Sequence, residues 1–142
     1  MTVTTTPHLN FRGNARAALE FYHSVFGGQI VIVTYQDAHG VQNADEADQV
    51  IFGQVIGDTG FQVMSYDVPS GTSYDQGEKS IFVSVRGDSA DEITALWSNL
   101  SKGSTVVQDL GPAGFSPLYG MLKDSFGVVW VLDVAVAYNP EE

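Results

Sequence analysis

The sequence predicts an α+β fold made of two βαβββ modules in tandem, and three observations lead to that expectation. The tripeptides Arg12-Gly13-Asn14 and Arg86-Gly87-Asp88 stand 74 positions apart in a chain of 142 residues, each between a strand-like run and a segment of helical spacing. Within those segments Leu19, Tyr22 and Phe26 match Ile93, Leu96 and Leu100 at the same offset. After each helical segment come strand candidates and no second helix.

Module one opens with His8-Leu9-Asn10-Phe11 as a strand. A helix over 14–26 follows, with Leu19, Tyr22, Val25 and Phe26 on one face, Asn14 as its cap and Gly27-Gly28 as its end. Strands are expected at 29–35, 49–56 and 61–65, the last preceded by the turn Gly57-Asp58-Thr59-Gly60. Module two repeats the plan. A strand at 80–85 leads into a helix over 89–101 with Asp88 as its cap and Ile93, Leu96, Trp97 and Leu100 as its apolar face. Strands are expected at 105–110, 119–123 and 128–136, with Asp124-Ser125-Phe126-Gly127 as the last turn. Two stretches of low hydrophobicity interrupt the pattern: Asp37 to Asp48, read as a mobile acidic loop or a lid, and Val68 to Lys79, read as a linker. One domain is therefore expected over 1–142, with module one at about 6–67, the linker at about 68–79 and module two at about 80–138.

Composition narrows the function. Seventeen acidic residues against six basic ones give a net charge of −11, which repels phosphate backbones and anionic membranes, so no nucleic-acid or membrane partner is expected. Without cysteine there is no disulfide, no thiolate nucleophile and no sulfur ligand for zinc, leaving imidazole and carboxylate as metal donors. No apolar run approaches the roughly 20 residues of a membrane span, and the first residues lack the basic and apolar segments of a signal peptide, so a cytoplasmic location is the expectation. No G-x-G-x-x-G, P-loop or G-x-S-x-G motif is present to support a nucleotide-binding or hydrolase reading.

Four stretches in order carry a family resemblance: Leu9-Asn10-Phe11-Arg12-Gly13-Asn14; Phe21-Tyr22 with Val25-Phe26-Gly27-Gly28; Met64-Ser65-Tyr66-Asp67-Val68-Pro69-Ser70-Gly71; and Asp124-Ser125-Phe126-Gly127-Val128-Val129-Trp130. Together they span nearly the whole chain. It resembles the vicinal oxygen chelate superfamily of glyoxalases, bleomycin-resistance proteins and dioxygenases, and within it the PhnB-like branch. The resemblance implies a curved mixed sheet of eight strands around a cleft, helices outside, and a homodimer. In metal-dependent members, four strand positions carrying His or Glu hold one divalent ion, and one fold supports several chemistries.

Carried over residue by residue, the metal positions fall at or next to His8, on Met64, on Ile81 with Phe82 as the neighbouring choice, and on Val131. Where PhnB-like proteins often carry a His on the third strand, this chain has Phe52. Met, Ile and Val offer a hard cation no suitable donor, so neither a metal nor another cofactor is expected.

Strand alternation assigns the cleft-facing side chains. His8 and Asn10 share the first strand's inner face, Gln62 and Met64 face in beside it, and Val131 with Asp133 face in on the last strand, joined by Gln54 and Tyr119. Trp130 and Trp97 are expected in the core. Three readings stay open: a metal-independent binder of a small, partly apolar organic molecule; an enzyme, whether a metal-dependent lyase, isomerase or dioxygenase or one using His8 as a general base; and a structural or regulatory homodimer. The sequence selects no catalytic residue among them.

Overall fold

In the computed structural model, which describes residues 3–136, the chain divides into two compact units on either side of the Gly77–Glu78 boundary. The first unit contains β1 (His8–Phe11), α1 (Ala15–Phe26), β2 (Gln29–Thr34), β3 (Val50–Ile56) and β4 (Gln62–Asp67). Its strands form one mixed sheet in the order β1-β4-β3-β2, with β1 parallel to β4 and β3 antiparallel to both neighbours. The second unit contains β5 (Val83–Gly87), α2 (Ala90–Leu100), β6 (Thr105–Ala113), β7 (Ser116–Lys123) and β8 (Val129–Val134). Its order, β5-β8-β7-β6, and its pairing directions repeat those of the first. The eight strands therefore form two four-stranded sheets with one helix each, the α+β βαβββ repeat expected from the sequence. Among the described residues no helix is long and apolar enough to cross a membrane.

Alternation along the strands gives each sheet one face under its helix and one face turned away from it, the open face, although on β8 Val129 and Asp133 of that second face are themselves buried. In the first unit Phe11, Val55 and Val63 are buried with Ala15, Ala18, Leu19 and Tyr22 of α1, and Phe26 stacks on Phe61 with ring centroids 3.7 Å apart. Each fully buried large apolar side chain of this kind stabilises by roughly 1.5–3 kcal/mol. In the second unit Leu122, Trp130 and Leu132 are buried with Ile93 and Leu100 of α2. Trp130 donates from Nε1 to Asp124 Oδ2 at 2.9 Å, which fixes it in the core, and the half-buried Trp97 ring lies close against Gly120 of β7.

Most element boundaries fall within a few residues of the expected ones, but three local expectations are corrected. The strand expected at 80–85 begins three positions later, at Val83: Ile81 is 78% exposed and precedes β5, because the strand takes its register from β8, where Val83 pairs with Trp130. Ser89, not Asp88, caps α2, its hydroxyl accepting from the Glu92 N–H at 3.2 Å. Asn14 makes no side-chain cap at α1. The distant carboxylate of Asp67 serves instead, its Oδ1 accepting from the N–H groups of Gly13 at 2.7 Å and Ala15 at 3.0 Å.

The first low-hydrophobicity stretch and the start of the second are held by hydrogen bonds. Residues 37–48 contain a 3₁₀ turn at Ala44–Glu46, and backbone bonds from Tyr35 to Gln49 and from Gln36 to Ala47 close the loop at its base. Glu46 then reaches into the linker, accepting from the Ser70 N–H at 3.0 Å and its hydroxyl at 2.9 Å. The linker's start is also held by Arg12, whose guanidinium donates to the carbonyls of Val68, Pro69 and Thr72, and by Tyr74, which donates to the Asn10 carbonyl at 3.1 Å. The Arg12 guanidinium carbon sits 5.2 Å from the Tyr74 ring centroid, a cation–π distance.

Candidate functional site

The open face of the first sheet collects five of the sequence-predicted site residues. Cross-strand register places Val31, Gln54, Met64 and His8 side by side in one row running β2, β3, β4, β1. Gln62 and Asn10 lie on the same face, one alternation away on β4 and β1, with Asn10 paired to Tyr66. The His8 ring meets Tyr66 edge to face at 5.5 Å between centroids. His8 Nδ1 stands 2.6 Å from Asn10 Oδ1, so Nδ1–H is the donor, and in the neutral form of the ring Nε2 is then the acceptor. Val31 and Phe52 leave apolar surface exposed on this face.

On the open face of the second sheet, register aligns Arg86, Asp133 and Tyr119 in one row and Ser84, Val131 and Met121 in the next. Asp133 is not a free polar lining group. It is buried to 3% exposure and accepts two bonds from Arg86, from Nε at 3.1 Å and Nη2 at 2.9 Å, which together also hold the guanidinium pKa above its ordinary value. Tyr119 meets Phe115 edge to face at 4.9 Å. Sequence reasoning missed Arg86, because the Arg-Gly-Asp tripeptide reads as a turn. The signal was available in the alternation: extending the strand by two residues puts Arg86 on the same face as Ser84. It also missed Tyr66, which alternation from Met64 places on the open face.

A separate shallow recess opens beside the 37–48 loop, lined by Tyr35, Gly40, Val41, Gln42, Asn43, Glu46 and Pro69. None of the sequence-predicted site residues borders it. Tyr35 donates to the Asp67 carbonyl at 2.6 Å, and burial, followed by the charges around it, pushes its phenol pKa up.

Comparison with known proteins decides the family. Residues 6–132 match the family model of the Glyoxalase/Bleomycin resistance protein/Dioxygenase superfamily. The chain belongs to this superfamily. Among solved structures it is similar to protein PA1353 from Pseudomonas aeruginosa, at 29% identity and a TM-score of 0.82, covering 94% of this chain and 98% of that one. It is also similar to the PhnB protein from Bacillus cereus, at 26% identity and a TM-score of 0.70, covering 94% of this chain and all of that one. A superfamily domain from Frankia sp. EAN1pec, at 11% identity and a TM-score of 0.64, shares the fold, covering 96% of this chain and 99% of that one. No curated protein matches the chain in sequence.

Membership brings the question of the divalent ion, for which the side chains at the inherited strand positions are the relevant donors. In the first unit His8 and Met64 are direct partners across β1 and β4. In the second unit the equivalent partners across β5 and β8 are Ser84 and Val131, which corrects the position read from sequence as Ile81 or Phe82. One imidazole, one thioether, one hydroxyl and one isopropyl group do not fit a hard divalent cation, which needs several oxygen or imidazole donors. Among the described residues no group of three His, Asp or Glu side chains is placed to hold a metal elsewhere.

Proposed function

We propose that this superfamily member binds a small, partly apolar organic molecule on its open sheet faces without the superfamily's divalent metal. The row Val31, Gln54, Met64, His8 carries the reading: it offers apolar surface, one amide and one imidazole acceptor, a lining suited to an organic ligand, with a single strong metal donor. Dialysis against nickel, zinc, manganese or iron(II) is expected to leave less than one equivalent bound, with His8→Ala leaving the uptake unchanged. One equivalent held at submicromolar affinity and abolished by His8→Ala overturns the metal-free reading and makes a metal-dependent lyase, isomerase or dioxygenase the better one.

A second reading, acid–base catalysis, is favoured by one contact. The Asn10 bond to Nδ1 leaves the His8 Nε2 lone pair as a ready general base on the open face.

The same account includes a homodimer in solution. β2 and β6 each lie at one edge of their sheets, and Val31, Val106 and Val107 leave apolar surface on them. Sedimentation equilibrium at micromolar concentration is expected to give twice the 15.3 kDa chain mass; a monomer at that concentration refutes it.

A further inference from the structure

We infer that the open face of the second sheet recognises an organic anion, a carboxylate or phosphate carried on an aromatic body, through the free edge of the Arg86 guanidinium. This rests on the ligand-binding reading above and names the ligand's class.

Arginine presents five N–H donors in a flat fork with two usable edges. Asp133 takes the side edge, made by Nε and Nη2. The end edge, made by Nη1 and the second proton of Nη2, has no acceptor among the described residues, and the side chain is 62% exposed. That edge matches two oxygens of a carboxylate or phosphate. Asp133 is buried beside its partner, so the guanidinium is oriented before any ligand arrives and little side-chain freedom remains to be lost on binding.

The rest of the face supplies the body's contacts. Tyr119 is two strands from Arg86 in the same row, a spacing of about 10 Å at roughly 4.8 Å per strand, and Phe115, 65% exposed, stands edge to face against it. Val131 and Met121 lie in the adjoining row. A cation at one end and an aromatic surface at the other, with apolar side chains alongside, suit an aryl-alkyl carboxylate or phosphate monoester of that length. The chain's net charge of −11 does not prevent this, because repulsion from charges more than about 8 Å away is largely screened at physiological salt, whereas the guanidinium contact is direct.

The test compares three probes on the full chain by calorimetry and by amide chemical-shift mapping: 3-phenylpropanoate, its neutral isostere 3-phenylpropanamide, and 3-phenylpropyl phosphate. The expected result is that at least one anion binds roughly tenfold or more tightly than the amide, with shifts at Arg86, Asp133 and Tyr119. The tighter of the two anions then identifies the group. Arg86→Lys keeps a cation beside Asp133 but removes the fork, and it is expected to weaken the anion about tenfold while leaving the amide unchanged. Equal binding of all three probes in the unaltered protein overturns the anion assignment and leaves the ligand-binding reading standing. An anion preference that survives Arg86→Lys undiminished also overturns it, whereas no binding by any probe to either sheet face overturns both.

Discussion

Asp67→Ala is expected to lower the stability of the first unit by about 3–5 kcal/mol, the larger of the stability effects that the buried polar groups predict. Asp67 is almost fully buried at the end of β4 and accepts from three backbone N–H groups: Gly13 and Ala15 on Oδ1, and Val50 on Oδ2 at 2.9 Å. These donors belong to the β1–α1 turn, the first turn of α1 and the start of β3, so one side chain ties three segments to β4. It also places negative charge at the positive end of the helix dipole. Alanine strands all three donors in a site where each unpaired group costs about 1–3 kcal/mol, reduced where water can enter. Asp67→Asn keeps one acceptor oxygen but turns an amide group toward at least one backbone donor, so an intermediate loss is expected. Urea unfolding followed by far-UV circular dichroism measures both; a loss below about 1 kcal/mol for the alanine variant contradicts the network's role.

That carboxylate also marks the limit of what the sequence showed. Periods of 3.6 and 2 are local properties, and they placed both helices, seven of the eight strands and the faces of His8, Asn10, Gln54, Gln62, Met64 and Val131. Asn14 has the right residue type in the right place for a cap, yet the cap comes from Asp67, more than 50 positions away, because parallel pairing of Phe11 with Asp67 brings that carboxylate to the helix start. The same kind of long-range pairing displaced β5. Ser80-Ile81-Phe82 looks like the beginning of a strand, but β8 pairs only from Val83 onward, and nothing in the local sequence states where the partner strand begins. Alternation places Asp133 on its face but does not show its partner, since Arg86 joins β5 only through the register with β8. Alternation tells which side a residue faces. Only register tells what it meets there.

Gly28→Ala is expected to cost roughly 3 kcal/mol or more, and a companion substitution separates the two reasons. Gly28 lies between α1 and β2 with φ at +82°, in the left-handed region where an L-residue with a Cβ is disfavoured by roughly 1–2 kcal/mol. It also faces a backbone that cannot rotate away: an added Cβ would stand 1.9 Å from the Ile56 carbonyl oxygen and 2.7 Å from Gly57 Cα. Relief requires parting the ends of β2 and β3, where Gln29 pairs with Ile56. Gly60, in the turn before β4, has a φ of +98° and open space around its would-be Cβ. Gly60→Ala should therefore show the dihedral penalty alone, roughly 1–2 kcal/mol. The difference between the two variants, read from urea midpoints at equal slope, isolates the steric contribution of the tight approach between α1's exit and the end of β3. Equal losses at both positions would show that the chain relaxes around Gly28 and that this junction is softer than its geometry implies.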